Sequence, residues 1–184
     1  MQNTTEPILI DALNTILQTK PIDKITVKDI VTECQLTRQT FYNHFSDIYE
    51  LVEFSARQNA ENILDNLSDY DNWQQGFYDI MIALRNSSNI TQNVYKSAYR
   101  DLMEKYIYQV IYGYIIKVVE KQATGMTVDQ KHKDFIAHFY SLAFIALILE
   151  WIMDGMKDDP QDIVDQTAVL VKGDFKKALN KYAE

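Results

Sequence analysis

The sequence predicts an all-α protein, and three observations carry that expectation. Glycine and proline are scarce, at five and three residues in a chain of 184, which disfavours a turn-rich β fold. Apolar residues recur at the helical period along most of the chain, and no stretch shows strand alternation. Hydrophobic residues make up 47% of the total, enough for amphipathic helices to close over a core. About nine helices are expected, in a small N-terminal unit over residues 1–50 and a larger one over 51–184.

A first helix is predicted at about residues 6–18, with Thr5 as N-cap, Pro7 in the first turn, and Ile8, Ala12, Leu13 and Ile16 on one face. Lys20-Pro21 ends it. Thr26-Val27-Lys28-Asp29 has the form of a capping box opening a short second helix, with Val27, Ile30 and Val31 turned inward. Cys34-Gln35-Leu36 is the break. Thr37 can cap a third short helix to His44, and Ser46 a fourth running to about residue 67. Asp71 is placed to cap a fifth, in which Trp73, Phe77, Ile80, Met81 and Leu84 keep helical spacing. After the polar break Asn86-Ser87-Ser88-Asn89, long helices are expected at about 96–121 and 128–156. Asp159 with Pro160 behind it starts a last helix that ends near Tyr182.

Composition excludes several classes. One cysteine forms no intrachain disulfide, and the first residues lack a basic start followed by an apolar stretch, so a cytoplasmic protein is expected. The run from Leu142 to Met153 is interrupted by Glu150 and falls short of the roughly 20 apolar residues of a membrane span. No phosphate-binding loop, nucleophile motif or Cys-x-x-Cys pair is present, which gives an enzyme no chemistry to work with. His132 and His138 lack ligand spacing, so neither metal nor cofactor is expected. Cys34 is expected to be a small, half-buried residue, because no cationic cluster adjoins it in sequence.

Two short helices joined by a few residues, with a preceding helix to pack on, have helix-turn-helix geometry. On the third helix Phe41 and Phe45 share an inward face, while Arg38, Gln39, Thr40, Asn43 and His44 lie opposite. Arginine forks onto guanine, and glutamine or asparagine onto adenine, in the major groove. Charge argues the other way. The chain carries −8 overall, and residues 1–52 hold four Lys and Arg against seven Asp and Glu, a net of −3; DNA-binding domains are usually basic.

The order Thr37-Arg38-Gln39-Thr40-Phe41-Tyr42-Asn43-His44-Phe45, followed by Ser46 and Tyr49-Glu50-Leu51, resembles the DNA-binding signature of the TetR family of transcriptional regulators. Ile25-Thr26-Val27-Lys28-Asp29-Ile30 is similar to that family's second-helix start. Trp73 and Trp151-Ile152…Gly155-Met156-Lys157 before Pro160 resemble the group of dihydroxyacetone kinase operon regulators. The resemblance implies base contacts from Arg38, Gln39, Thr40 and Asn43, and phosphate contacts from Thr26, Thr37, Tyr42 and His44. Two positions depart from the pattern: Gln35 stands where the turn often has Gly, and Ile48 where a phosphate-binding Lys is common. Modest, salt-sensitive affinity for double-stranded DNA is the expectation. A helical adaptor of the same fold, acting through protein contacts alone, is the alternative that the acidic balance motivates.

The C-terminal half is rich in aromatics. Tyr95, Tyr99, Tyr106 and Phe139 are candidates for the wall of an effector pocket, although such a stripe also fits ordinary helix packing. Residues 143–156 are apolar nearly all round, which implies burial on more than one side. Ala143, Ala146, Leu147, Glu150, Trp151 and Val169 are therefore the expected homodimer interface, which in the family is a four-helix bundle. The resemblance implies a signal at this unit, either a small molecule or a co-activator protein.

Overall fold

The computed structural model describes residues 5–67 and 73–183, so the cap expected at Asp71 lies outside the described residues. Those residues form ten α-helices and one 3-10 turn, without a strand among them. In chain order the helices are α1 (Thr5–Leu17), α2 (Val27–Glu33), α3 (Arg38–Tyr42), α4 (Ile48–Asn66), α5 (Trp73–Asn86), α6 (Ser88–Tyr95), α7 (Arg100–Gln122), α8 (Gln130–Met153), α9 (Pro160–Val171) and α10 (Asp174–Tyr182).

The N-terminal helices follow from caps and a small apolar core. Leu9, Leu13 and Leu17 of α1 are buried against Ile30, Phe41, Phe45 and Leu51. At α2 the Asp29 amide donates to Thr26 Oγ1 at 3.2 Å and the Thr26 amide donates to Asp29 Oδ2 at 2.8 Å, a reciprocal box. Lys20 Nζ lies 2.6 Å from the same carboxylate oxygen. Its ammonium and the Thr26 hydroxyl and amide hold the Asp29 carboxyl far below the usual carboxylate range. Cys34 is half-buried, with its thiol 3.1 Å from the Ile30 carbonyl.

Between α2 and α3, Gln35 takes φ 55°, the left-handed conformation in which glycine carries no Cβ penalty. The turn then closes with the Leu36 amide donating to the Val31 carbonyl at 2.9 Å. One cap differs from expectation. Asp47, not Ser46, caps α4, accepting from the Glu50 amide at 2.9 Å, while the Ser46 amide and hydroxyl both donate back to the Glu50 carboxylate. The cap falls one residue later than expected because Asp47 also offers a carboxylate acceptor.

The larger core is a stack of α5, α7, α8, α9 and α10, with Phe77, Tyr114, Phe144, Ile148 and Phe175 deep inside it. Gly76 permits the closest approach: a Cβ there would sit 2.2 Å from Tyr114 Cε1. Two elements depart from expectation. Residues 88–95, taken as part of a polar break and its exit, form α6, which turns Thr91 and Tyr95 inward. The predicted last helix is two helices, since Gly173 at φ 74° separates α9 from α10. Added to the eight helices located individually in the sequence, these make ten, against about nine expected. Thr5 lies within α1 and does not precede it.

By length and composition α8 could cross a membrane, with a mean hydropathy of 1.9. Here it is a core helix, burying Ile136, Ala137, Ser141, Phe144, Ile148, Trp151 and Ile152.

Gly76→Ala is expected to destabilise the protein by about 1–3 kcal/mol from overpacking, outweighing the roughly 1 kcal/mol gained in helix propensity. Chemical denaturation measures it, and combining the change with Tyr114→Leu should recover most of the loss. The lowered Asp29 pKa adds stability that is fully present above the unfolded-state carboxyl value of about 4. That contribution fades as pH falls below that value toward the lowered folded one. The melting-temperature gap between wild type and Asp29→Asn should therefore be largest near neutrality and close in acid.

Candidate nucleic-acid interface

The surface around α3 rests on a sealed base. Phe41 is wholly buried and Phe45 nearly so, in edge contact with Phe54 of α4. With the apolar side fixed inward, Arg38, Gln39, Tyr42 and Asn43 are exposed; the Tyr42 ring is 54% accessible. A large aromatic left that open has a polar edge available to a partner. Thr37 caps the helix, its Oγ1 accepting from the Thr40 amide at 3.1 Å and lying 2.8 Å from the Thr40 hydroxyl. Gln39 Nε2 donates to Asn43 Oδ1 at 3.0 Å, so the two amides stand together on the outer face.

Two of the expected phosphate-contacting residues sit differently. Thr26 uses its hydroxyl within the α2 cap, donating to Asp29 Oδ2 at 2.7 Å. His44 is half-buried, with Nδ1 3.6 Å from Glu6 Oε1 of α1. The acidic groups nearby are engaged by the chain itself: Asp29 by Lys20, Glu50 by Ser46, and Asp47 as the α4 cap. Amide and hydroxyl donation from Ser46 lowers the Glu50 pKa. The sequence reading gave Lys28 no role beyond its charge. It is exposed in the first turn of α2, and its position two residues after the capping Thr26 was the available signal.

This N-terminal unit is tied to α6 and α7. Lys20-Pro21 stops α1 and leaves its last carbonyls without helical partners. Asn93 of α6 supplies them: Nδ2 donates to the Leu17 carbonyl at 3.0 Å and to the Lys20 carbonyl at 2.8 Å. Its Oδ1 accepts from the Ile22 amide at 2.9 Å, in the 3-10 turn Ile22–Lys24. The Ala98 amide donates to Asp23 at 3.4 Å, and Tyr99 stacks on Tyr49 of α4 with centroids 5.8 Å apart. Burial, then the charges of Asp23 and Asp47, push the Tyr99 phenol up.

Behind this junction lies a cavity of about 570 Å³, walled by α1, α4, α5, α6 and α7. Tyr99 and Tyr106 line it. Tyr95 is buried elsewhere, under the Arg100 guanidinium at 4.4 Å, and Phe139 is 59% accessible on the outside of α8. The expected dimer residues divide as well. Ala143, Ala146, Glu150 and Val169 are exposed and Leu147 is partly so, whereas Trp151 lies inside the subunit with its indole N–H on the Asp158 carbonyl at 2.9 Å. Exposed Phe135, Phe139, Leu142 and Met153 extend the same stripe along α8, and Leu170 joins Val169 on α9. An interface made of such a stripe is legible only once the intrachain core has claimed its own residues.

Known proteins match at both levels. Residues 9–53 match the model of bacterial regulatory proteins of the tetR family, and residues 71–173 a transcriptional regulator C-terminal region. The HTH-type dhaKLM operon transcriptional activator DhaS of Lactococcus lactis subsp. lactis (strain IL1403) is 30% identical over 81 residues, covering 44% of this chain; the chain spans 42% of that relative's length. A solved structure of the dihydroxyacetone kinase operon activator DhaS superposes with a TM-score of 0.73 at 21% identity, over 98% of this chain and 99% of that one. The fatty acid degradation regulator FadR of Bacillus halodurans gives 0.61 at 12% identity, over 93% and 96%. The repressor AlkX of Dietzia sp. strain DQ12-45-1b gives 0.59 at 17%, over 96% and 98%. With an exposed polar helix-turn-helix face at one end, a helical stack at the other, and family models matched over both, the chain belongs to the TetR family of transcriptional regulators.

Proposed function

We propose that the protein is a cytoplasmic regulator that binds operator DNA as a homodimer, with residues 1–50 reading the duplex and 51–184 carrying the dimer contact and an effector site. In this reading Arg38, Gln39, Thr40 and Asn43 contact base edges, while Thr37, Tyr42, Thr26 and His44 contact phosphates, the last two through their capping and packing positions. The observation that carries it is the exposed set Arg38, Gln39, Tyr42 and Asn43 standing on the buried Phe41 and Phe45. A face built so is rigid, and its donors and acceptors match the major-groove edges.

Dimerisation follows from the stripe on α8. Phe135, Phe139, Leu142 and Ala146 recur three or four residues apart, Met153 follows two turns later, and all are exposed, as are Val169 and Leu170 of α9 at 78% accessibility each. A contiguous apolar face of this kind is rarely left in water. A second copy covers it with the same face, and two-fold symmetry then presents two α3 helices to half-sites one groove repeat apart. An effector filling the cavity behind the Asn93 junction acts by biasing that separation.

Arg38→Ala should cost about 1–3 kcal/mol of affinity and relax preference at one base position. Tyr42→Ala should weaken all sequences alike without changing the salt slope, because the phenol is uncharged; Lys28→Ala should reduce that slope by about one. Fluorescence anisotropy on a duplex selected from a random pool, titrated against salt, measures all three. No binding even at low salt would favour the adaptor reading. Val169→Glu, at a position too exposed to support the subunit fold, should give folded monomers by analytical ultracentrifugation and abolish tight operator binding.

A further inference from the structure

The cavity behind the reading unit has a chemical character that narrows its occupant. Among the described residues, none that lines it carries a charge. One wall is a single face of α4, where Ser55, Asn59, Asn62 and Asn66 fall four, three and four residues apart, with Asn14 of α1 beside them. That spacing places four uncharged hydrogen-bonding side chains in one row. The other walls are mainly apolar, built from residues such as Ile80, Leu84, Val94, Leu102 and Ile107, with Ser87, Thr91, Tyr99 and Tyr106 among them.

Ser55, 5% accessible, is the buried member of that row, whereas Asn59, Asn62 and Asn66 are exposed and open toward solvent. Thr91, equally buried on the facing wall, has its hydroxyl on the Leu84 carbonyl at 2.9 Å. The volume, about 570 Å³, suits a small organic molecule. Among the described residues a carboxylate or ammonium would find no counter-charge in the wall, and desolvation would oppose it.

We propose that the effector is an uncharged amphiphile, with an apolar body against α5, α6 and α7 and an edge of hydroxyl, carbonyl or amide groups against Ser55 and the asparagine row of α4. This rests on the cavity being the effector site. The test uses three probes with one alkyl chain, decanol, decanoate and decylammonium, titrated into the intact protein by calorimetry. Decanol should bind at least about tenfold more tightly than either ion, the size of effect expected when one charge lacks a partner. Ser55→Ala should weaken decanol about three- to tenfold, the loss of one hydrogen bond. Asn59→Asp changes an exposed residue and should reverse the order, weakening decanol and admitting decylammonium, a pattern that misfolding does not produce. Equal or tighter binding of decanoate or decylammonium to the wild type overturns the proposal, and so does the absence of binding by all three. The same probes are then added to the protein on its selected duplex. Decanol that binds but leaves DNA affinity unchanged upholds the ligand class and overturns the effector role.

Discussion

A proline sets the constraint from which the organisation of this protein follows. Pro21 cannot continue α1, so the carbonyls of Leu17 and Lys20 reach the helix end unpaired and partly buried. Leaving such groups without partners costs on the order of 1–3 kcal/mol each. One side chain, Asn93, satisfies both and accepts the Ile22 amide as well. A terminus that many helices close with local residues is here closed by a helix more than seventy positions away. The N-terminal unit is thereby fixed to α6 by directional bonds, and apolar contact with Leu102 and Tyr106 of α7 adds to them.

The adjacent residue extends the connection. The Gln92 side-chain amide donates to the Ile152 carbonyl, near the end of α8. Since α6 is only eight residues long, two consecutive side chains on it are bonded to the end of α1 and to α8. Its inward residues Ile90, Thr91 and Val94 line the cavity. Under the proposed function, a displacement of α6 by a bound molecule would reach α1 and α8 together, because both are hydrogen-bonded to it.

The fold class was legible because helical periodicity and caps act locally. Thr26 and Asp29 are three apart, and Phe41 and Phe45 share a face whatever the rest of the chain does. The same locality made the exposed face of α3 predictable. What escaped the sequence depends on distant partners. The polar run at residues 86–89 reads as a break, but what orders the segment lies beyond it, in Gln92 and Asn93, whose partners are on α8 and α1. Tyr95 and Tyr99 looked alike in the stripe; which one faces the cavity depends on where Arg100 and Tyr49 stand. Trp151 had the composition of an interface residue and was claimed by the subunit core through Asp158. Gly173 was visible, but a single glycine in a helical pattern is often tolerated, and only its left-handed φ identifies a break.

The acidic balance of the N-terminal unit, which argued against DNA, takes a different weight once the partners of Asp29, Asp47 and Glu50 are known. Asp29 is held by an ammonium, Glu50 by an amide and a hydroxyl, and Asp47 by an amide of the next helix. These groups spend their charge stabilising helix starts, where the helix dipole also favours anions. Arg38 and Lys28 remain exposed near the polar face of α3 and the start of α2. The relevant quantity for a duplex is therefore the local field at that face and not the sum over the unit. Few cations stand there to offset phosphate charge, so under the proposed function the neutral groups of Gln39, Tyr42 and Asn43 would carry a larger share of recognition than in a basic domain, with short-range hydrogen bonding in place of long-range attraction.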